Sequence, residues 1–143
     1  VGIANTTGIG TQAFATGSTP TRSEVVGMRG DIASANALTG SLAFATESTV
    51  YSNMLDTVVD AGSGQFLLSE NGTLLGRQVV ESNQITDGQM FFGNFSDLMV
   101  GEWGGYDLMV DPFTGATAGN VRILIFHSCD IAVRHAESFT LGQ

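Results

Sequence analysis

Apolar positions recur at helical spacing in two stretches of the first half of the chain. The stretch 24–37 carries an approximate helical stripe behind Pro20 and Ser23, and Gly40 follows it. A second helix is expected from Ser48 or Thr49 to about residue 60. A short apolar strand is expected between them, at 41–46, and residues 1–21 are expected to form an irregular lead-in rich in Gly, Thr and Ser.

The second half of the chain has the pattern of β-structure. A hairpin is expected around Asn71-Gly72, because that dipeptide is a strong turn signal between two apolar runs. Gly-rich and Pro-containing segments separate the later runs. The expected strands are 65–68, 73–82, 90–92, 98–100, 106–110, 120–126 and 130–134, in a β run that ends near Leu141. Two helices followed by many short strands indicate an α+β fold.

Charge is scarce along this chain and mostly negative. Charged residues make up 13% of the sequence against 43% hydrophobic residues, so a large part of the surface is expected to be covered by a protein interface. The formal net charge is -9 and all five basic residues are arginines. Nucleic-acid binding needs clustered positive charge, so no direct contact with DNA or RNA is expected. The apolar runs are too short for a membrane span.

Two local patterns resemble chemical motifs but are better explained as structure. The segment Gly8-Ile9-Gly10-Thr11-Gln12-Ala13 has the shape of a dinucleotide fingerprint, yet no strand precedes it and no long helix can follow it. We therefore interpret it as a loop. His127, Cys129, Asp130 and His135 invite a metal interpretation, but no second Cys/His pair completes a tetrahedral set. No metal, cofactor or catalytic residue is expected.

Several segments, in a fixed order, resemble phage major capsid proteins. The longest is Val100-Gly101-Glu102-Trp103-Gly104-Gly105-Tyr106-Asp107-Leu108-Met109-Val110-Asp111-Pro112-Phe113-Thr114. Shorter ones are Gly2-Ile3-Ala4-Asn5, Leu74-Leu75-Gly76-Arg77-Gln78-Val79-Val80-Glu81-Ser82, Gly93-Asn94-Phe95-Ser96, Val121-Arg122-Ile123 and Asp130-Ile131-Ala132-Val133-Arg134-His135-Ala136-Glu137-Ser138-Phe139. Together they cover most of the chain and resemble the C-terminal portion of the tailed-phage, Hong-Kong-97-type family.

The resemblance implies a two-lobed subunit. Residues 1–95 would form the axial lobe at the capsomer centre, with helices on a small sheet, and residues 96–143 would return as long antiparallel strands of the peripheral lobe. The family's N-terminal arm, extended loop and spine helix would precede Val1. Some members crosslink their shells through a lysine–asparagine bond promoted by a glutamate. Ser128 stands near that glutamate's position and Asn120 beside the asparagine's, so no catalytic residue is carried over.

The implied function is that of a structural, non-enzymatic subunit of a phage or prophage capsid. Its partners would be copies of itself in hexamers and pentamers, with scaffold, protease or portal proteins in addition. The virion would be assembled in the bacterial cytoplasm, and the single cysteine, Cys129, agrees with that compartment. The alternative is a small ligand- or metal-binding module or enzyme with a pocket near His127 and Cys129.

Four residues are candidates for the subunit interface. Trp103 and Tyr106, beside three glycines, have the side chains that carry much of the energy of protein interfaces. Core packing around a tight bend is an equally weighted alternative for both. Arg122 and Arg134 lie on expected strands and are candidates for pairing with acidic groups of a neighbouring subunit, with an intrachain pair or a solvated end as the alternative.

Overall fold

A computed structural model describes residues 2–143 of the chain. Two α-helices and eight β-strands are present among these residues, joined by loops and four short 3-10 turns. In chain order they are β1 (Gly10–Gln12), α1 (Arg22–Ser34), β2 (Leu42–Thr46), α2 (Ser48–Asp56), β3 (Thr73–Leu74), β4 (Arg77–Glu81), β5 (Met90–Asn94), β6 (Leu98–Asp111), β7 (Arg122–Val133) and β8 (Phe139–Gly142). The predicted α+β class is confirmed.

The strands form two separate sheets. A mixed six-stranded sheet has the order β1-β8-β5-β2-β4-β3, and β6 and β7 form a two-stranded ribbon. Within the larger sheet β2 pairs with β4 in parallel, and α2 lies in the connection between them. Strand β5 pairs with β2 on one side and with β8 on the other, both in antiparallel fashion. The larger sheet and the two helices form the sheet lobe of the molecule.

Both helices have an N-terminal cap, in which side chains form hydrogen bonds with backbone N–H groups at the start of the helix. At α1, Thr21 and Glu24 form a reciprocal capping box. At α2, the Glu47 carboxylate accepts hydrogen bonds from the N–H groups of Thr49 (2.7 Å) and Val50 (3.4 Å). The predicted helix positions are thus close to the observed ones, but α2 ends four residues earlier than expected and is capped by Glu47.

The hydrophobic core lies between the two helices and the six-stranded sheet. Phe44 of β2 and Phe92 of β5 stack with ring centroids 4.3 Å apart, and both are fully buried. From α1 the buried side chains are Val25, Met28 and Ile32, and from α2 they are Val50 and Met54. One continuous cluster therefore holds both helices on the sheet.

The last strand does not remain with the ribbon. Strand β8 pairs with β5 on one side and, in parallel, with β1 on the other. Residues 139–142 therefore belong to the six-stranded sheet and not to the ribbon, and the division into two lobes near residue 95 stays a prediction. The expectation of an irregular lead-in is wrong at β1, because Gly10–Gln12 gains its strand conformation by backbone pairing with β8 at the far end of the sequence.

The predicted hairpin around Asn71-Gly72 is also wrong. The observed hairpin joins β3 to β4 through Leu75 and Gly76, whose φ angles are 48° and 72°. Two successive residues with positive φ match the twist of a tight hairpin, a role in which leucine is unusual. Asn71-Gly72 instead closes a loop, with the Gly72 N–H bonded to the Ser69 carbonyl at 2.8 Å.

Candidate subunit interface

The ribbon of β6 and β7 is the longest regular feature of the structure. Its register runs from Leu98 opposite Val133 to Asp111 opposite Arg122. We expected four short strands here, and the structure has two long ones, because the Gly-rich segment continues β6 as a bulge. The bulge lies between Trp103 and Asp107, where Gly104 has a φ of 72°.

One face of the ribbon is almost entirely apolar. Cross-strand partners share a face and side chains alternate along each strand, so the register defines the two faces. We call this one the apolar face; it carries Leu98, Val100, Glu102, Tyr106, Leu108 and Val110 from β6 and Ile123, Ile125, His127, Cys129, Ile131 and Val133 from β7. Ile125 and Leu108, opposite each other, are each 63% exposed.

The other face, the mixed face, combines apolar and charged side chains. It carries Met99, Trp103, Asp107, Met109, Asp111, Arg122, Leu124, Phe126, Ser128 and Asp130. Trp103 is 61% exposed and its ring lies over Gly101, where a β-carbon would be 3.0 Å from the indole. Tyr106, on the apolar face, is 75% exposed. In the described chain neither ring packs in a core, so the alternative of core packing around a bend does not apply within these residues.

Tyr106 and His127 stack across the two strands. Their ring centroids are 4.8 Å apart at an interplanar angle of 28°, and His127 Nε2 is 3.9 Å from the Glu102 carboxylate. Cys129 is exposed on the same face as His127, as expected for two residues that are two positions apart in one strand. Among residues 2–143 no three His, Cys, Asp or Glu side chains are grouped to hold a metal ion.

The far end of the ribbon is closed by a turn that holds an aspartate. The Asp111 carboxylate accepts hydrogen bonds from the Thr114 hydroxyl and from the N–H groups of Phe113 (2.9 Å) and Thr114 (3.2 Å). These bonds, the Thr114 hydroxyl first, lower the pKa of Asp111. Arg122 stands opposite Asp111 in the register, but within the described chain no carboxylate lies within 4 Å of its guanidinium.

The base of the ribbon is attached to the sheet lobe by a hydrogen-bond network. The Asn94 side chain accepts from the Ser41 N–H (2.9 Å) and donates to the Asp97 carboxylate (2.9 Å), which also accepts from the Ser138 hydroxyl (2.8 Å). The Arg134 N–H donates to the Asp97 carbonyl (2.8 Å). Arg134 and His135 are among the residues that line a cavity of about 370 Å³. No local sequence pattern predicted this network.

The four candidate residues therefore lie at different places on the ribbon. Tyr106 is on the apolar face, Trp103 and Arg122 are on the mixed face, and Arg134 follows β7 at the base. The apolar face itself was not singled out from the sequence, although the alternation of Ile123, Ile125 and Ile131 was a visible signal for it. No helix in the described residues has the length and apolar character needed to cross a bilayer.

The sequence as a whole matches one protein family. The model of the phage capsid family covers residues 1–143, and the chain belongs to that family. A curated relative, the major capsid protein of Halomonas phage phiHAP-1, is 27% identical over 120 residues. That match covers 84% of this chain and 20% of the relative.

Solved structures share the fold at low sequence identity. Mycobacterium phage Ogopogo aligns with a TM-score of 0.70 at 13% identity, covering 99% of this chain and 55% of that one. Gordonia phage Cozz aligns with a TM-score of 0.69 at 17% identity, covering 100% of this chain and 51% of that one. The virus-like particle from Pyrococcus furiosus aligns with a TM-score of 0.69 at 15% identity, covering 99% of this chain and 58% of that one. The expected Hong-Kong-97-type fold is confirmed, and the chain spans about half the length of these three.

Proposed function

We propose that this chain is part of a capsid subunit that assembles with copies of itself into hexamers, pentamers and a closed shell around phage or prophage DNA. Membership of the phage capsid family supports the proposal. The protein acts as a building block and not as an enzyme. Virion assembly takes place in the host cytoplasm, with scaffold, protease and portal proteins as further partners.

The observation that carries this proposal is the exposed apolar face. A two-stranded hairpin is only marginally stable in water, and soluble proteins rarely leave a large continuous apolar surface uncovered. Val110 and Ile123, paired across the ribbon, are 54% and 61% exposed. In the assembled shell this face is covered by protein outside these 143 residues, and its burial helps to drive assembly.

The two sheets correspond to the two lobes of the subunit. The sheet lobe, which includes β8, lies at the capsomer centre, and the ribbon is part of the peripheral lobe. This assignment keeps the division expected near residue 95 and moves residues 139–142 to the first lobe. The net charge of -9 suits a wall that does not bind the packaged DNA directly, since like charges repel.

Electron microscopy of the full-length gene product tests the proposal. Negative staining at neutral pH is expected to show capsomer rings or closed shells. In the Ile125→Asp variant the apolar face carries a charge, and assembled particles are expected to fall at least tenfold in a sedimentation assay. Ser52→Asp, on the exposed side of α2, is the matched control and keeps assembly. A monodisperse small species from the unmutated protein at high concentration would contradict the proposal.

A further inference from the structure

Two of the five arginines in the chain border one small cavity of the sheet lobe. The cavity has a volume of about 180 Å³, and it lies between Arg29 of α1 and Arg77 of β4, both of which are exposed. The other lining residues are apolar, namely Leu38, Leu42, Phe44, Leu75 and Phe92. The polar side-chain atoms of the described lining therefore all belong to the two arginines.

Neither of these arginines is neutralised by the chain itself. In residues 2–143 no carboxylate lies within 4 Å of either guanidinium, and neither side chain donates a hydrogen bond. The chain nevertheless has 14 acidic residues against five basic ones. Two positive charges beside one cavity repel each other unless an anion lies between them. The arrangement therefore indicates an anion that the described residues of the same chain do not supply.

The rest of the lining favours an ion pair at this position. Phe44 and Phe92 stack with ring centroids 4.3 Å apart beneath the cavity, and both are buried. Apolar surroundings lower the local dielectric constant, so an ion pair is stronger here than on an open surface. Leu75 borders the cavity with a φ of 48°, a value that leucine rarely adopts. Strained residues of this kind are concentrated at ligand sites.

The size of the cavity favours one acidic side chain over a free ligand. Sites for small molecules and cofactors measure about 300–1,000 Å³, and this cavity is smaller. At about 30 Å³ per water molecule it has room for roughly six waters. Guanidinium groups match carboxylates because their parallel N–H groups bind both oxygens. A nucleic-acid phosphate is disfavoured, since the net charge of -9 repels a polyanion.

We infer that Arg29 and Arg77 together bind the carboxylate of an acidic side chain that belongs to another copy of the subunit. The inference rests on the proposed function, because a shell brings many copies of this acidic protein into contact. It assigns one half of a subunit contact to the sheet lobe, apart from the apolar face of the ribbon. The carboxylate neutralises both arginines, and its aliphatic stem packs against the leucines of the lining.

Neutralising the arginines in the full-length protein tests the site. Arg29→Gln and Arg77→Gln are each expected to lower shell formation several-fold in a sedimentation assay. The double variant is expected to lose less than the product of the two single effects, because both arginines act on one carboxylate. Arg22→Gln is the matched control, since Arg22 is exposed on the same helix and does not line the cavity. Urea unfolding of unassembled subunits is expected to show no loss of stability in either variant.

A carbodiimide crosslink identifies the carboxylate and the chain that carries it. The 143 residues contain no lysine, so Arg77→Lys or Arg29→Lys places one amine at the cavity. The carbodiimide activates a carboxylate in contact with this amine, an amide forms between the two side chains, and the carbodiimide leaves as its urea. Shells are assembled from equal amounts of isotopically heavy and light subunits. Mass spectrometry is expected to find amides between heavy and light peptides, above the background given by Arg22→Lys.

The outcomes separate this inference from the proposed function. If the unmutated protein forms shells and both glutamine variants assemble as well as Arg22→Gln, the inference is wrong and the proposed function stands. Impaired assembly without heavy–light crosslinks above background also overturns it, because the carboxylate then belongs to the same chain or is absent. Normal assembly of the double variant with less packaged DNA would assign the cavity to a phosphate instead. If the unmutated protein forms no assembly at all, the proposed function fails as well.

Discussion

The ring of Phe139 occupies the space in which a side chain on Gly93 would stand. The two residues are paired between β5 and β8, and a β-carbon on Gly93 would overlap Cδ1 of Phe139 and lie 2.7 Å from the Ser138 carbonyl oxygen. Phe139 itself is fully buried and meets Phe95 edge-on at 5.6 Å. The absence of a side chain at Gly93 therefore allows the last strand to join the sheet.

Gly93→Ala is accordingly expected to destabilise the sheet lobe. The added methyl group must displace both an aromatic ring and backbone, and overpacking of this kind costs about 1–3 kcal/mol. Urea unfolding followed by circular dichroism measures the change in the free energy of unfolding. Gly105→Ala is the control, because a β-carbon there meets nothing within 4 Å. Equal stability of the two variants would contradict the close packing of β8 on β5.

The sequence predicted the local elements better than the long-range pairings. The start of α2 near Ser48 and the strand at 41–46 were visible because their signals are short-range capping and apolar runs. The pairing of Gly10 with Thr140 was not visible, since it depends on backbone contacts between the two ends of the chain. The turn at Leu75 was missed because leucine carries no turn signal.

For the candidate interface, individual residues were predicted from the sequence but their arrangement in space was not. The family motifs located Trp103 and Tyr106, and the structure places both on the surface of the ribbon. The apolar face could not be defined from the sequence, because it depends on the register at the bulge. Between the Trp103–Ser128 and Asp107–Phe126 pairs, β6 has two more residues than β7, and this decides which side chains of the two strands lie opposite each other. The Asn94 network joins four segments, and no local pattern encodes it.

Asn94→Ala is expected to loosen the attachment of the ribbon to the sheet lobe. Asn94 is 5% exposed, and its removal leaves the Ser41 N–H and the Asp97 carboxylate without their bonds to its side chain. The loss of a buried partner costs about 1–3 kcal/mol, which urea unfolding measures. Ser138→Ala removes a single hydrogen bond to Asp97 and is expected to cost less. A larger effect of Ser138→Ala would show that Asn94 is not the centre of the network.

Trp103→Ala is expected to impair assembly more than folding. The side chain is largely exposed, so its loss changes the unfolding free energy by about 0.5 kcal/mol or less. As an interface anchor it is worth about 2 kcal/mol or more. Sedimentation of the full-length variant measures assembly, and urea unfolding measures the fold. Trp103→Phe is expected to retain part of the assembly, whereas equal losses of stability and assembly would indicate a role in the core.

The stability of the sheet lobe is expected to fall in acid partly through Glu47. Hydrogen bonds, first from the Thr49 N–H, lower the pKa of Glu47 below its ordinary value of 4.5. A carboxylate whose pKa is lower in the folded state than in the unfolded state stabilises the fold at pH values above its unfolded-state pKa. This contribution is lost as the pH falls through the folded-state pKa. Urea midpoints measured from pH 7 down to pH 3 are therefore expected to decrease below pH 4.5.

Glu47→Gln isolates this contribution. The variant is expected to be less stable than the unmutated chain at pH 7 and to lose less stability between pH 5 and pH 3, because its amide does not titrate. Glu70→Gln is the control, since the exposed Glu70 side chain caps no helix and accepts no hydrogen bond within residues 2–143. If Glu47→Gln and the unmutated chain lose stability in parallel below pH 5, the acid sensitivity arises at other carboxylates, of which Asp111 in the ribbon turn is one with a lowered pKa.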